Sequence, residues 1–316
     1  MKLSLPGSSF QGPLPPADGE LLQSAGRVDA MVSTLAEEIG PRSCAAQPRA
    51  LTASMNTVAG WFEEQGWEVR RQLVAITTCK TANVIVTLPG TEPELEPVVV
   101  GAHYDTYRNT PGADDNASGV ASLLEISRAM AGDRPRRTVH FVAWTTEEPP
   151  FFATDAMGSA WHAEEVGPVR AAISIETVGL YEQDRHTQHY PFPLSLFYPS
   201  TGDFVAFVAD IRSRKLVSEV GRTFREAEDF PTRGGAAPRW ITGIDWSDHR
   251  SYARAGSPAL MVTDTAVFRN MDYHEPGDLE VDPLAVARVS RGLVAVVREL
   301  AEAQGSGIPA PDAQFR

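Results

Sequence analysis

The chain has 316 residues, of which 42% are hydrophobic, and it carries a formal net charge of −13. This length and apolar content fit one large globular domain with a sizeable buried core. The acidic balance argues against nucleic acid as a partner, because proteins that bind the phosphate backbone normally present a basic surface. No apolar run approaches the roughly 20 residues of a membrane span, and residues 1–19 contain no apolar segment of signal-peptide length. We therefore expect a cytoplasmic protein that does not insert into membranes.

The two cysteines of the chain are Cys44 and Cys79. Two thiols are too few for a disulfide framework or for a thiolate metal site. We expect both thiols to be reduced and unpaired, with a single disulfide between them as the alternative.

Both ends of the chain, residues 1–18 and 305–316, are rich in Pro, Gly and Ser and show no periodicity. We expect flexible tails there, flanking a single domain over residues 19–304. Directly after Pro48, apolar residues recur at helical spacing, which predicts a helix.

Short β-rich runs follow this helix, at residues 67–74, 82–88, 97–102, 138–144 and 171–175. Several of them are too uniformly apolar to have a solvent-exposed face, so they are predicted to be buried strands. Helical spacing returns over residues 120–131 and 289–300. The alternation predicts an α/β fold, a three-layer α/β/α sandwich around a mixed, mostly parallel central sheet.

Residues 184–246 interrupt this alternation. They combine a Pro-rich loop with a helix predicted from residue 203 to about residue 220. We expect this segment to form a lid or a pocket wall beside a functional site.

Acidic and histidine side chains follow the ends of several apolar strands, where ligands bind in open α/β sheets. They occur in the segments 101–105, 112–119, 146–148, 174–176 and 273–275. Each segment alone is weak evidence, since a single His or Glu in a loop is commonly a solvated surface residue. Together they supply imidazole and carboxylate ligands, a carboxylate able to bridge and another left free as a base, as a two-metal hydrolytic site requires.

Two features of these segments suggest a division of roles. Asp105 lies two residues after His103 and points to the same side of an extended chain, so its carboxylate can accept the second imidazole N–H. Glu147 and Glu148 are adjacent, so their side chains diverge, which favours one ligand and one general base. The structural alternative for this glutamate pair is two repelling surface carboxylates.

As an ordered set, the segments resemble the co-catalytic zinc metallopeptidases, the family of bacterial leucine aminopeptidases, glutamate carboxypeptidase and the single-zinc glutaminyl cyclase. The resemblance extends from about residue 40 to the C-terminal helix. It implies two zinc ions per chain, and its ligands are His103 and Glu176 for one zinc, Glu148 and His274 for the other, and Asp115 as the bridge. It also implies that Glu147 is the general base, that Asp105 supports His103, and that the peptide bond between Asp115 and Asn116 is cis.

The chain departs from the better-known aminopeptidases at Glu176, where they have Asp. The longer side chain moves the carboxylate, so we expect weaker or partial occupancy on the side of His103 and Glu176. The apolar segment 149–159 replaces a short turn, and lining a specificity pocket or packing on the surface both fit it.

Further candidates beside the metal ligands are Asp248, His249 and Tyr273. The cluster Asp245-Trp246-Ser247-Asp248-His249 resembles the family's Ser-Asp-His segment before a helix beside the active site. The resemblance implies a supporting or substrate-binding role for this cluster, with Asp248 and His249 as its main candidates. Capping of the following helix by Ser247 or Asp248 is the structural alternative. The phenol of Tyr273 is placed to donate to a developing oxyanion, and a buried tyrosine that fills core space is its alternative.

The sequence therefore predicts a zinc-dependent exopeptidase, an aminopeptidase in the first instance, that hydrolyses a peptide or small amide with metal-activated water. Its alternatives on the same site are a carboxypeptidase, a dipeptidase and a small-metabolite amidase. A glutaminyl-cyclase-like acyltransferase with one zinc, and a binding module without turnover, are the rivals from other classes. The substrate and the oligomeric state stay open at this point.

Overall fold

The computed structural model describes residues 5–190, 194–196 and 198–303. The strands in this part of the chain are β1 (Arg70–Val74), β2 (Thr81–Leu88), β3 (Val98–His103), β4 (Val139–Trp144), β5 (Ala171–Ile175), β6 (Val205–Asp210), β7 (Thr232–Ala237) and β8 (Ala259–Thr263). The α-helices are α1 (Gly19–Ser33), α2 (Pro48–Glu64), α3 (Gly119–Met130), α4 (Gly158–Val166), α5 (Arg214–Ala227), α6 (His249–Arg254) and α7 (Pro283–Glu302).

The strands form one sheet in the order β1-β2-β4-β3-β5-β8-β6-β7. The central pairs β4 with β3, β3 with β5, and β5 with β8 are parallel, as is the edge pair β6 with β7. The pairs β1 with β2, β2 with β4, and β6 with β8 are antiparallel. The predicted mixed, mostly parallel sheet is therefore confirmed.

Helices cover both faces of the sheet, because successive residues of the buried strands point to opposite sides. Along β3, Val98, Val100 and Ala102 join the larger apolar cluster, to which α1, α2, α3, α5 and α7 contribute. Val99 points the other way, into a smaller cluster with residues from α4 and α6. The three-layer sandwich predicted from the sequence is thus confirmed. No helix in the described residues is long and apolar enough to cross a membrane.

The predicted helix from residue 203 to about 220 is wrong in its first part. Residues Val205–Asp210 form β6, and the helix α5 begins only at Arg214. A short apolar run such as Val-Ala-Phe-Val-Ala fits either state by periodicity. Pairing with β7 and β8 on its two sides selects the strand, and this pairing is not visible in the local sequence.

The expectation of two unpaired thiols is also wrong. Cys44 and Cys79 form a disulfide, with an S–S distance of 2.07 Å and Cα atoms 5.5 Å apart. Helix α2 and the strand β1 lie between them in sequence and return the chain to its starting point. Counting cysteines alone does not reveal that proximity.

Residues 5–18, expected as part of a flexible tail, contact the domain. Leu5 is buried in the larger apolar cluster. The Arg225 side chain donates to the Pro6 carbonyl oxygen at 2.6 Å, and the Thr232 backbone N–H donates to Ser9 Oγ at 2.9 Å. These contacts involve one apolar side chain, one serine hydroxyl and one backbone carbonyl oxygen of the segment, so composition gives no sign of them. The predicted C-terminal tail, residues 305–316, lies outside the described residues.

Candidate metal centre

The predicted metal ligands meet at the carboxyl ends of three neighbouring strands. His103 is the last residue of β3, Glu148 follows β4, and Glu176 comes directly after β5. Because β4, β3 and β5 are adjacent and parallel, their carboxyl ends lie at one edge of the sheet, the usual position of ligands in such folds. Asp115 reaches this edge from the turn before α3, and His274 from the loop after β8.

The ligands form two groups that share Asp115. In the first group, His103 Nε2 lies 3.3 Å from Asp115 Oδ1 and 3.2 Å from Glu176 Oε1. In the second group, His274 Nε2 lies 3.2 Å from Asp115 Oδ2 and 3.1 Å from Glu148 Oε2. Within each group the three ligand atoms lie within 4.8 Å of one another. One carboxylate thus offers one oxygen to each group.

The chemistry of these groups fits zinc. Both oxygens of Asp115, Glu148 Oε1 and His274 Nε2 are buried without a hydrogen-bond partner, and an unpaired buried polar atom is costly. Burial and repulsion by Asp115 raise the pKa of Glu148 to about 8, and a bound cation relieves both effects. A mixed imidazole and carboxylate set is typical of zinc, whereas calcium and magnesium prefer oxygen ligands alone.

Asp115 is held by its backbone and by its neighbour Asn116. The backbone N–H groups of Asp114 and Asp115 donate to the two carboxylate oxygens of Asp278, at 3.0 and 3.1 Å. The peptide bond between Asp115 and Asn116 is cis, as predicted. Asn116 Oδ1 accepts from the backbone N–H of Thr177 at 3.0 Å, which ties this turn to the end of β5. Asp278 was not predicted from the sequence, because it lies outside every segment that indicated a metal site.

Asp105 positions the glutamate pair more directly than it supports His103. Its Oδ1 and Oδ2 accept from the backbone N–H groups of Glu147 and Glu148, each at 3.1 Å. His103 Nδ1 lies 3.2 Å from the Asp105 backbone carbonyl oxygen and 3.5 Å from Oδ1. Asp105 therefore contacts the imidazole as expected, and its carboxylate also orients the peptide that carries both glutamates.

Glu147 lies beside the two ligand groups and belongs to neither. Its side chain is buried, with 6% of the residue exposed. Burial raises the pKa of Glu147 well above its ordinary value, and repulsion by Glu176 and Glu148 adds to this effect while His103 opposes it. A carboxylate with a raised pKa next to a metal centre fits a group that accepts and returns a proton.

Residues 83–297, which include every predicted metal ligand, match the model of Peptidase family M28. The chain belongs to peptidase family M28. Over 262 residues it is 39% identical to the uncharacterized protein YfbL of Escherichia coli strain K12, and the match covers 80% of each chain. The resemblance found in the sequence is thereby confirmed, and the protein is an M28 metallopeptidase with two candidate metal sites.

The fold of this M28 chain is similar to that of solved zinc enzymes. BSAP, a zinc aminopeptidase from Bacillus subtilis, matches with a TM-score of 0.68 and 14% identity over 90% of this chain and 97% of that chain. A glutaminyl cyclase from Bacteroides thetaiotaomicron matches with a TM-score of 0.61 and 19% identity over 90% and 99%. Identities this low establish a common fold and leave the reaction open.

Two tyrosine rings stack on the predicted ligand His274. The ring centroid of Tyr273 lies 4.0 Å from that of His274, and the centroid of Tyr107 lies 4.4 Å from it, both with interplanar angles of 15°. Burial raises the pKa of the Tyr273 phenol well above its ordinary value, so the phenol keeps its proton and can donate. Tyr273 was predicted from the sequence and Tyr107 was not, although its position two residues after the segment 101–105 is a signal that indicates it.

The segment 247–249, predicted to support the centre or to bind substrate, contacts a predicted metal ligand through Ser247. Ser247 Oγ donates to Glu176 Oε2 at 2.7 Å, which fixes the carboxylate of this ligand. Asp248 is fully buried and makes no side-chain capping bond to α6. Burial raises its pKa to about 8 against the opposing effect of His103. His249 Nε2 lies 3.0 Å from the Ile244 carbonyl oxygen, so its ring contacts the 238–246 loop rather than a ligand.

The structure also locates the segments 149–159 and 184–246. An apolar cavity lies next to the ligands, and no residue of the apolar segment 149–159 lines it. Phe151 packs against the larger apolar cluster, and Phe152 lies under the Arg250 guanidinium. The segment 184–246 contributes β6, α5 and β7 to the domain, and several of its residues line that cavity.

Proposed function

We propose that this M28 metallopeptidase is an aminopeptidase that uses two zinc ions to hydrolyse the peptide or amide bond next to a free amine. One observation carries the proposal: Asp115 offers one oxygen to each of two complete ligand groups, while the buried Glu147 stays outside both. A bridging ligand and an uncommitted carboxylate are the parts that metal-assisted hydrolysis needs.

His103 and Glu176 would hold one zinc, Glu148 and His274 the other, and Asp115 both. Bound zinc would supply Lewis-acid polarisation of the carbonyl and a lowered pKa for the attacking water. Glu147 takes a proton from this water and returns it to the leaving amine. The protonated phenol of Tyr273 is available to donate to the oxyanion.

The cavity and the buried carboxylates around the centre favour an exopeptidase that binds the free amine of its substrate. A cavity with Glu176 and Tyr273 at one end lies next to the ligands and is walled by residues of the segment 184–246. Such a wall leaves room for one substrate side chain beside the scissile bond, and buried carboxylates attract an ammonium group. The substrate partner is then a short peptide or a small amide.

The experiment is a comparison of free and N-acetylated dipeptides with zinc-reconstituted protein. We expect hydrolysis of the free dipeptides and loss of hydrolysis on acetylation, since acetylation removes the charge that the carboxylates attract. Equal rates on both series would contradict an aminopeptidase. Rates that depend on a free C-terminal carboxylate would identify a carboxypeptidase or dipeptidase, and activity only on other small amides would identify an amidase.

A glutaminyl-cyclase-like acyltransferase is the second candidate, supported by the similarity in fold to the Bacteroides thetaiotaomicron glutaminyl cyclase. In that reaction the substrate's own amine attacks in place of water. A peptide with an N-terminal glutamine separates the two reactions. Release of free glutamine supports hydrolysis, whereas release of ammonia with formation of pyroglutamate supports the transferase.

A further inference from the structure

An apolar cavity of about 120 Å³ opens beside the candidate metal centre, on the sheet face opposite the larger apolar cluster. At one end it is lined by Glu176 and Tyr273, so a group bound there contacts the centre. Ligand pockets for drug-sized molecules are about 300–1,000 Å³. The cavity is therefore sized for one substrate side chain.

The floor of the cavity is a row of residues across four strands. The register of Ile175 with Val262 puts Glu176 beside Thr263. Thr263 pairs with Ala206, and Ala206 pairs with Arg233 on the edge strand β7. Paired residues point to the same face, so the row runs from the metal ligand Glu176 to Arg233. With strands about 4.8 Å apart, the two Cα atoms at its ends are roughly 14 Å apart.

The walls and floor between these ends are almost wholly apolar. Small residues leave the floor open, and aromatic residues form the sides. The aromatic residues are Tyr190, Tyr198, Phe204, Trp246 and Phe268. One charged residue lies at the far end of this cavity.

Arg233 is that charged group, and it lacks an acidic partner. Its Nη1 donates to the Thr232 carbonyl oxygen at 2.9 Å, and its guanidinium carbon lies 5.6 Å from the Phe204 ring centroid. Among the described residues no carboxylate oxygen forms an ion pair with it, in contrast to Arg239, which lies 2.7 Å from Asp210 Oδ2. The residues between Tyr190 and Tyr198 that the structure does not describe are Pro and Phe, which carry no charge. The guanidinium fork thus keeps donors available for a planar anion.

We propose that this cavity selects substrates whose side chain has an apolar body and an anionic tip, with Arg233 binding the tip. A carboxylate on such a side chain forms a charge-assisted, bidentate pair with the guanidinium, while its apolar body fills the space between the aromatic walls. The proposal rests on the proposed function for its orientation, because it assumes that the scissile bond lies at the Glu176 end.

The test measures binding, so that it does not depend on turnover. Zinc-loaded protein is titrated by calorimetry with phenylacetohydroxamate and with its 4-carboxy derivative, since a hydroxamate binds zinc whether or not the substrate needs a free amine. In the wild type we expect the carboxylated probe to bind at least about tenfold more tightly, or ~1.4 kcal/mol. Equal binding, or weaker binding of the carboxylated probe, overturns the proposal.

Variants distinguish the contribution of Arg233 to the preference for the carboxylated probe from that of the rest of the cavity. Arg233→Met keeps the apolar stem, and it should abolish the preference while leaving the affinity for the uncharged probe within about twofold. Arg233→Lys keeps the charge without the fork, and it should retain part of the preference. Arg239→Met, which removes a paired arginine outside the cavity, should leave the preference intact.

A preference that survives Arg233→Met overturns the assignment, as does a preference lost equally in Arg239→Met. If Arg233→Met fails to fold, Arg233→Lys decides the test. An unchanged or inverted preference for the carboxylated probe in Arg233→Lys also contradicts the assignment. If dipeptides are not hydrolysed while the carboxylated probe binds preferentially, the aminopeptidase proposal fails and the anion site stands.

Discussion

At the scale of single residues, Glu147 carries the proposed chemistry without binding a metal. Glu147→Gln removes the proton acceptor and touches no ligand, so we expect kcat to fall by about 10²–10⁴-fold. Zinc content and thermal stability should stay near those of the wild type, as measured by elemental analysis and calorimetry. Glu63→Gln, at an exposed position of α2, is the matched control. It should leave kcat, zinc content and thermal stability unchanged. Retained activity, or zinc lost together with activity, would show that Glu147 has another role.

Glu176 leads to a prediction about unequal metal affinity. Its longer side chain adds a torsion compared with Asp, so we expect the zinc on the side of His103 to bind more weakly than the zinc on the side of His274. The bond from Ser247 Oγ fixes the carboxylate and limits this loss. Calorimetric zinc titration of the wild type and of Glu176→Asp measures both affinities. Two equally tight sites in the wild type, or no tightening in the variant, would contradict the prediction.

The residues of the site differ in how far the sequence identifies them. The five predicted ligands and Glu147 lie together because each follows a strand or occupies a recognisable segment, although their individual roles stay predictions. Asp278 and Tyr107 were missed, since they act on the predicted ligands through a backbone N–H and an aromatic ring. Contacts of this kind depend on how loops pack, and single residue types at unremarkable positions do not reveal them.

At the scale of elements, the disulfide joins the segment before α2 to the loop after β1, closing a sequence separation of 35 residues. Closing a loop of this length restricts the unfolded chain by about 3–4 kcal/mol in the chain-entropy model. We therefore expect the double variant Cys44→Ser, Cys79→Ser to lose roughly that free energy of unfolding in urea. Wild type measured with reductant is the control and should match the variant. An unchanged midpoint would mean that the bridge adds no stability.

Helix α4 packs a histidine that should make the fold sensitive to mild acid. Burial lowers the pKa of His162 to about 3, and His140, with its ring centroid 5.6 Å away, adds to the effect. The unfolded chain binds the proton near pH 6.5 and the folded chain does not, so stability is complete above that pH and declines below it. Between pH 7 and pH 5 this group costs about 2 kcal/mol.

His162→Gln should remove this pH dependence. We expect the difference in unfolding free energy between wild type and variant to shift in favour of the variant by about 2 kcal/mol on going from pH 7 to pH 5. His189→Gln is a control, since this histidine lies outside the helix and its ring has no such partner among the described residues. A difference that is constant with pH would show that His162 titrates normally in the folded state.

The elements predicted correctly are those whose pattern of apolar residues fits only one type of secondary structure. β3, β4 and β5 are apolar on both sides because helices cover both sheet faces, and α7 repeats its apolar positions over several turns. β6 was assigned to a helix because five apolar residues fit both periods and its partners lie far away in sequence. A short apolar run of this kind is thus harder to assign than a strand that lies between two predicted strands.

At the scale of the whole molecule, the sequence identified the fold class because strands and helices alternate. The segments with His, Asp and Glu residues indicated that the candidate site lies at the carboxyl ends of the central strands. The segment 184–246 was expected to form a lid or a pocket wall, but its sequence did not indicate the row of residues across β8, β6 and β7 that forms the cavity floor. The cytoplasmic location stays a prediction. The disulfide weighs against it, because disulfides are rare in the reducing cytoplasm and typical of oxidising compartments.

The most direct test of the two-zinc account follows hydrolysis of a free-amine dipeptide while metal-free protein is titrated with zinc. The account predicts no hydrolysis without metal, a rise on adding zinc, and a plateau at two equivalents, because the two ligand groups share Asp115 and act together. Asp115→Ala should stay inactive at every zinc concentration that saturates the wild type. Hydrolysis that survives chelation, or a plateau at one equivalent, would contradict the account.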